Sequence, residues 1–218
     1  MSKTVIFGEN AVSVLLLMFS VFIVSTWTML IYPDLQSNCT FYLTFLLFTF
    51  LGYFLKYGAF ELPYEVIDLG EPQRIWVNAS LGFVVGFALS IPILVTNIAK
   101  VYLFPLSITE PVVLILVCVI GPIIEELFFG GWLYPTFSLY FSRPVGMFAT
   151  AFIFAFYHVY AWGTIGLGGF ITPFIMRLIL NFLIDTTDSL TTAITTHMTV
   201  NFIISMIALL VTAPLLGG

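Results

Sequence analysis

Two adjacent carboxyl groups stand inside an apolar stretch that reads Gly-Pro-Ile-Ile-Glu-Glu-Leu-Phe-Phe-Gly from Gly121 to Gly130. A charged residue in the middle of a membrane helix costs about 2.5–3.5 kcal/mol on insertion scales. A pair such as Glu125 and Glu126 therefore indicates a structural or functional role. One carboxylate could accept a proton from water, which is general base chemistry. The alternative is a structural pair that caps a helix break or meets an arginine.

The two histidines of the chain also lie in apolar segments. His158 ends the stretch that begins at Phe154, and His197 precedes Asn201 by four positions, which places these two on one face of a helix. A single buried histidine usually satisfies its hydrogen bonds within the core. Here polar side chains enter three separate apolar segments, and in lipid they can satisfy one another only by converging. Converging carboxyls, imidazoles and an amide predict a site.

The converging residues have the parts needed to hydrolyse an amide bond. Glu125 as general base could activate a water molecule that is held with the help of His158. His197 and Asn201 could donate hydrogen bonds to the oxyanion that forms when this water attacks a carbonyl carbon. Zinc is the competing account, because Glu125, His158 and His197 are a sufficient ligand set. The sequence leaves the metal-free glutamate mechanism and the zinc mechanism equally open.

These residues form three motifs in order along the chain, namely Glu125-Glu126, Phe154-x-x-x-His158 and His197-x-x-x-Asn201. The set resembles the CAAX-protease and bacteriocin-processing (CPBP) family of intramembrane proteases, which includes the type II CAAX prenyl endopeptidase. The resemblance covers about Gly121 to Ser205. It implies that water is activated by Glu125 with His158, and that His197 and Asn201 are oxyanion or metal-site residues. The catalytic residues that it implies are Glu125, Glu126, His158, His197 and Asn201.

The sequence departs from the family pattern at one position. The glutamate motif of the family continues to an arginine that would fall at 130, where this chain has Gly130. Arg177 is the candidate substitute, since Arg177, Asn181 and Asp185 form one polar stripe on a predicted helix. We hypothesise that Arg177 pairs with Glu126 and supports the site. The alternative is that Arg177 snorkels to the interface or pairs with Asp185, and a degenerate, non-catalytic family member also stays open.

The elements that must position these residues are membrane helices. Charged residues make up 8% of the 218 residues and apolar residues 61%, against about 25% and 45–50% in a soluble domain. This composition excludes a soluble enzyme, and Lys and Arg together number only 6, which excludes a nucleic-acid binder. Segments of about 20 apolar residues fit a bilayer core of about 30 Å. We therefore predict an all-α, polytopic membrane helical bundle of about seven transmembrane helices, within a range of six to eight.

The predicted spans form a single integral-membrane domain over residues 1–218. They are residues 11–32, 39–55, 75–99, 111–134, 144–162, 170–184 and 189–210, with a break expected at Gly121-Pro122. Residues 56–74 are predicted to form a polar interfacial linker, and the catalytic motifs lie within about residues 121–205. A threonine run that includes Thr192, Thr195 and Thr199 has two interpretations, a wet path to the site or packing between helices.

The sequence thus favours an intramembrane endopeptidase, similar to CAAX prenyl proteases, that hydrolyses a peptide bond at or within the bilayer. The expected substrate is a membrane-associated peptide or a prenylated protein. The expected location is the cell membrane or, in a eukaryote, the endoplasmic reticulum, and the oligomeric state is open. The alternative is a non-catalytic or proton-coupled membrane protein, such as a degenerate family member or a transporter, because buried Glu and His also serve proton relays.

Overall fold

The computed structural model describes residues 72–95, 114–158 and 166–216, together with Leu43, Leu46 and Leu47. This part of the chain consists of five helices and contains no strand, which confirms the predicted all-α class. The helices are α1 (Pro72–Val95), α2 (Leu116–Tyr140), α3 (Arg143–Tyr157), α4 (Leu167–Thr187) and α5 (Leu190–Leu216).

All five helices belong to one of two compact units of the chain. The first unit is Met1–Ile67 and the second is Asp68–Gly218. The first two predicted spans, apart from three leucines, and most of the polar linker lie outside the described residues. The single domain and the interfacial linker therefore stay predictions.

Four of the described helices are long and apolar enough to cross a membrane. They are α1 from Arg74, α2, α4, and α5 as far as Ile207, whereas α3 is apolar but shorter. A helix satisfies its backbone hydrogen bonds internally, as the lipid core requires. The chain is therefore an integral membrane protein. The count of about seven spans stays a prediction, because two of the predicted spans fall outside the described residues.

Helix α2 is continuous but changes its winding along its length. It is π-helical over Leu116–Ile120, α-helical over Gly121–Glu125, π-helical over Glu126–Leu133 and α-helical over Tyr134–Tyr140. Gly121 keeps right-handed helical angles, and its N–H bonds to the Leu116 carbonyl oxygen. The break expected at Gly121-Pro122 is therefore wrong. Proline removes one backbone N–H donor. Helix α2 continues past it through a π-helical turn, and the side chain of Asn201 on α5 donates a hydrogen bond to the Val117 carbonyl oxygen.

Helices α1 and α5 pack with their backbones close together. A Cβ atom at Gly82 would lie 2.5 Å from the Thr192 carbonyl oxygen, and one at Gly86 would lie 2.7 Å from that of Thr196. Small residues permit this approach between membrane helices. The Thr196 hydroxyl donates to the Thr192 carbonyl oxygen of its own helix over 2.8 Å. The threonine run thus lies at a helix–helix interface, which favours its packing interpretation.

The ends of α3 and α4 follow from local sequence signals. Ser142 caps α3, since its hydroxyl oxygen accepts from the Val145 N–H and Pro144 fills the first turn. Helix α4 ends at Thr187, and the capping residue that follows, Asp188, adopts the left-handed conformation with φ 48°. The tight turn that follows sets α5 beside α4.

Candidate active site

Four helices meet around the glutamate pair. Helix α2 supplies Glu125 and Glu126, α5 supplies His197, α4 supplies Arg177, and α3 ends at Tyr157. All five residues are buried, and the side chains of Glu126 and Arg177 are 0% exposed. An unpaired charge in such surroundings is costly. Each charged group must therefore have a partner, and the distances show which one.

The hypothesis of an Arg177–Glu126 pair agrees with the structure. Arg177 Nη1 lies 2.7 Å from Glu126 Oε2, and Arg177 Nε donates to Asn181 Oδ1 over 2.9 Å. Asn181 in turn donates to the Met147 carbonyl oxygen over 3.2 Å, which ties the guanidinium to α3. Arg177 is fully buried. The alternatives of snorkelling and of a pair with Asp185 do not agree with this geometry.

Gly130 makes room for this arginine. A Cβ atom at residue 130 would lie 3.1 Å from Arg177 Nη2, 2.7 Å from Ile184 Cδ1 and 2.9 Å from Leu190 Cδ1. Residue 130 follows Glu126 by about one turn of α2, so a long basic side chain there would compete with Arg177 for the same carboxylate. The glycine on α2 and the arginine on α4 are thus sterically complementary.

Glu126 also fixes the ring of His197. His197 Nδ1 lies 2.9 Å from Glu126 Oε1, and Nδ1 carries the hydrogen because a carboxylate only accepts. The other ring nitrogen, Nε2, faces Glu125, whose Oε2 is 3.7 Å away. Catalytic histidines are commonly oriented by a carboxylate in this way. Arg177, Glu126, His197 and Glu125 together form what we name the charged cluster.

Glu125 has a partner on α3 that the sequence analysis missed. Tyr157 Oη donates to Glu125 Oε1 over 3.1 Å, while Oε2 faces His197. The two oxygens of this carboxylate therefore have different neighbours. The one signal in the sequence is that Tyr157 directly precedes His158, and tyrosine is too common in this chain, with 10 residues, to stand out.

His158 lies at the end of α3, beside the charged cluster and without a direct bond to it among the described residues. Its Nδ1 donates to the Phe154 carbonyl oxygen over 2.8 Å, so the neutral ring presents Nε2 as an acceptor. The centroid of the Phe154 ring lies 4.5 Å from that of His158 and 6.0 Å from that of His197. The Tyr157 ring lies 5.0 Å from His158. Two aromatic rings thus connect His158 with the cluster.

Asn201 bonds to the backbone of α2. Its Nδ2 donates to the Val117 carbonyl oxygen over 3.0 Å. In the π-helical register this carbonyl would pair with the backbone nitrogen of Pro122, which carries no hydrogen. Asn201 therefore satisfies the carbonyl that the proline leaves open, and it keeps α2 continuous. Its role at an oxyanion stays a prediction.

The residues that the sequence offered as zinc ligands do not fit a metal site. Among the residues that the structure describes, no three His, Cys, Asp or Glu side chains are placed to hold one ion. Zinc needs at least three protein donors that face one point. Glu125, His158 and His197 are not assembled in that way.

The comparisons with known proteins agree with the motifs. Residues 107–203 match a family model described as type II CAAX prenyl endopeptidase Rce1-like. The match covers α2, α3, α4 and the part of α5 that carries His197 and Asn201. The search of curated proteins and the search of solved structures each gave no significant match. Over residues 107–203 this chain is thus similar to the Rce1-like type II CAAX prenyl endopeptidase family, a peptidase family consistent with the CPBP group that the motifs resemble.

Proposed function

We propose that the protein is a multi-pass intramembrane endopeptidase that hydrolyses a peptide bond at or within the bilayer with a water activated by Glu125. The observation that carries the proposal is the buried charged cluster, which spans three apolar helices. Ionisable side chains at membrane depth are costly and usually mark functional sites. The cluster also ends at a carboxylate oxygen, Oε2 of Glu125, that faces a histidine.

Glu125 is suited to act as the general base. Oε1 accepts from Tyr157, and Oε2 lies 3.7 Å from His197 Nε2, so a water can contact both of these last two atoms. This water would pass a proton to Oε2 as its oxygen attacks the substrate carbonyl carbon. When the C–N bond breaks, the same proton would pass to the leaving amine nitrogen. His158 Nε2, as an acceptor, would hold the other hydrogen of the water.

His197 is suited to stabilise the oxyanion of the tetrahedral intermediate. Glu126 accepts from Nδ1–H and so directs Nε2 to the space beside Glu125, where an Nε2–H group would donate to the oxyanion. A preorganised donor of this kind contributes about 10²–10³ in kcat. Asn201 has a second amide N–H besides the one that donates to the Val117 carbonyl oxygen, and this second N–H would donate to the oxyanion as well.

Arg177 acts on the reaction through Glu126. Its guanidinium neutralises the Glu126 carboxylate at 2.7 Å, and this carboxylate in turn orients the His197 ring. A neutral residue in place of Arg177 would leave the buried Glu126 carboxylate without its guanidinium partner, which is strongly destabilising. We therefore assign Arg177 a positioning role.

The proposed substrate is a membrane-associated peptide or a prenylated protein. The matched family is described as a prenyl endopeptidase family, and the proposed site lies among helices that are apolar enough to cross a bilayer. A peptide that carries a prenyl chain partitions into the bilayer, because each buried methylene contributes about 0.8 kcal/mol. The proposed location is the cell membrane or, in a eukaryote, the endoplasmic reticulum.

The experiment is cleavage of a fluorogenic farnesylated peptide by the purified full-length protein in lipid nanodiscs. We expect Glu125→Gln to lower kcat by about 10²–10⁴, the usual contribution of a general base. Asp185→Asn on α4 is the matched control, since it makes the same chemical change at a partly exposed position outside the cluster. Equal rates for Glu125→Gln and Asp185→Asn would contradict the proposal, and so would an inactive wild-type protein.

A further inference from the structure

We propose that Tyr157 is a positioning residue that fixes the orientation of the Glu125 carboxylate, so that one of its oxygens faces the place of the attacking water. This inference rests on the proposed function, because it assigns a task within the same site. Tyr157 Oη donates to Oε1 of Glu125 over 3.1 Å, and Oε2 of the same carboxylate faces His197 Nε2. Tyr157 thus holds one oxygen and leaves the other for the water.

The Tyr157 hydroxyl is held in place by its own ring. The ring centroid lies 5.6 Å from that of Phe129 and 6.1 Å from that of Phe154. It also lies 5.0 Å from the His158 ring in an edge-to-face arrangement, and such aromatic pairs favour a defined geometry. Tyr157 is 8% exposed. The donor is therefore anchored before any substrate binds.

The hold on Oε1 matters because a carboxylate can rotate about the bond that joins it to the side chain. A partial rotation of the Glu125 carboxylate would turn its oxygens and their lone pairs away from the line to His197. A hydrogen bond to a charged group contributes about 1.5–3 kcal/mol, which is sufficient to keep one orientation dominant. The residue that follows in the chain is His158, so the last turn of α3 supplies both the group that orients the base and the proposed acceptor for the water.

A structural role for Tyr157 makes a different prediction from a positioning role. Tyr157→Phe keeps the ring and its packing and removes only the hydroxyl. Tyr134→Phe is the matched control, since Tyr134 is also buried, at 3% exposed, and lies further along α2. If the hydroxyl only contributed to packing, the two variants would behave alike.

The experiment measures kcat, KM and the thermal midpoint of unfolding for the wild type and both variants, with the farnesylated fluorogenic peptide in nanodiscs. We expect Tyr157→Phe to lower kcat about ten- to a hundredfold, the factor that one charged hydrogen bond provides. KM and the unfolding midpoint should match those of Tyr134→Phe. In a Glu125→Asp background the same change should alter kcat less than about twofold, because the shorter side chain has already lost its bond to Tyr157.

Three results would overturn the inference. The first is an active wild type whose kcat is unchanged by Tyr157→Phe, and the second is a loss that only follows the fraction of unfolded protein. The third is an undiminished effect of Tyr157→Phe in the Glu125→Asp background. These results leave the proposed function standing, whereas an inactive wild type would overturn that function and the role of Tyr157 together.

Discussion

Moving the buried arginine from α4 to α2 tests whether Glu126 depends on a neighbouring positive charge. The first change is Arg177→Gln, which removes the charge that lies 2.7 Å from Glu126 Oε2. Both side chains are 0% exposed, so solvent cannot replace the lost partner. Removing one member of such a pair costs about 3–5 kcal/mol, and we expect the free energy of unfolding to fall by this amount. Arg143→Gln, at an exposed position on α3, is the matched control and should change it by less than about 0.5 kcal/mol.

The second change is Gly130→Arg, alone and combined with Arg177→Gln. Alone it should destabilise by at least about 1–3 kcal/mol through overpacking, because its Cβ would lie 2.7 Å from Ile184 Cδ1 and 3.1 Å from Arg177 Nη2, and because it adds a second buried guanidinium beside that of Arg177. Combined with Arg177→Gln, the new guanidinium can occupy the vacated space and reach Glu126 from about one turn away. We expect the double variant to be more stable than the sum of the single effects by about 1–3 kcal/mol.

The assay is reversible unfolding of the purified variants in mixed micelles, with peptidase rates measured on the same samples. Recovery of stability with partial recovery of rate would show that Glu126 requires a charge and accepts it from either helix. Additivity of the two single effects within about 0.5 kcal/mol would refute the reasoning that Gly130 and Arg177 are complementary.

Three further predictions follow from the contacts. Gly86→Ala should lower the thermal midpoint of unfolding, since its Cβ would lie 2.7 Å from the Thr196 carbonyl oxygen. Gly168→Ala is the control and should leave the midpoint unchanged, because a Cβ at Gly168 meets nothing within 4 Å. Calorimetry of both variants checks this, and equal midpoints would contradict the close α1–α5 packing. Asn201→Leu should cost about 1–3 kcal/mol in unfolding experiments because the Val117 carbonyl loses its donor, and an unchanged stability would disprove the capping role. A zinc chelator should leave the peptidase rate unchanged, as no three described side chains are placed to hold one ion; loss of activity that added zinc restores would contradict this.

The convergence of the charged residues could be predicted because lipid makes each polar group expensive. Glu125, His158 and His197 occupy separate predicted helices, and in an apolar bundle each of them has few other partners. The scarcity of charge, at 8% of the chain, therefore carried structural information. The hypothesis that Arg177 pairs with Glu126 comes instead from the family pattern, in which Gly130 replaces an arginine. The sequence leaves snorkelling and a pair with Asp185 equally open, and the 2.7 Å distance to Glu126 decides between them.

Other features of the site depend on geometry that sequence periodicity does not contain. Pro122 predicts a broken helix when α2 is considered alone, whereas in the structure the Val117 carbonyl accepts from the Asn201 amide of α5 and the helix continues through a π-helical turn. The bond from Tyr157 to Glu125 depends on where α3 ends relative to α2. The number of spans could not be confirmed from the described helices, since predicted spans also lie in the part of the chain outside them.

The most direct test of the central claim is mass spectrometry of a farnesylated peptide after incubation with the protein in water enriched in ¹⁸O. We predict that the wild-type protein releases a fragment whose new carboxyl terminus carries one labelled oxygen. Glu125→Gln should release this fragment at least about a hundredfold more slowly. An intact peptide with the wild type, or equal release by the wild type and Glu125→Gln, would contradict the account.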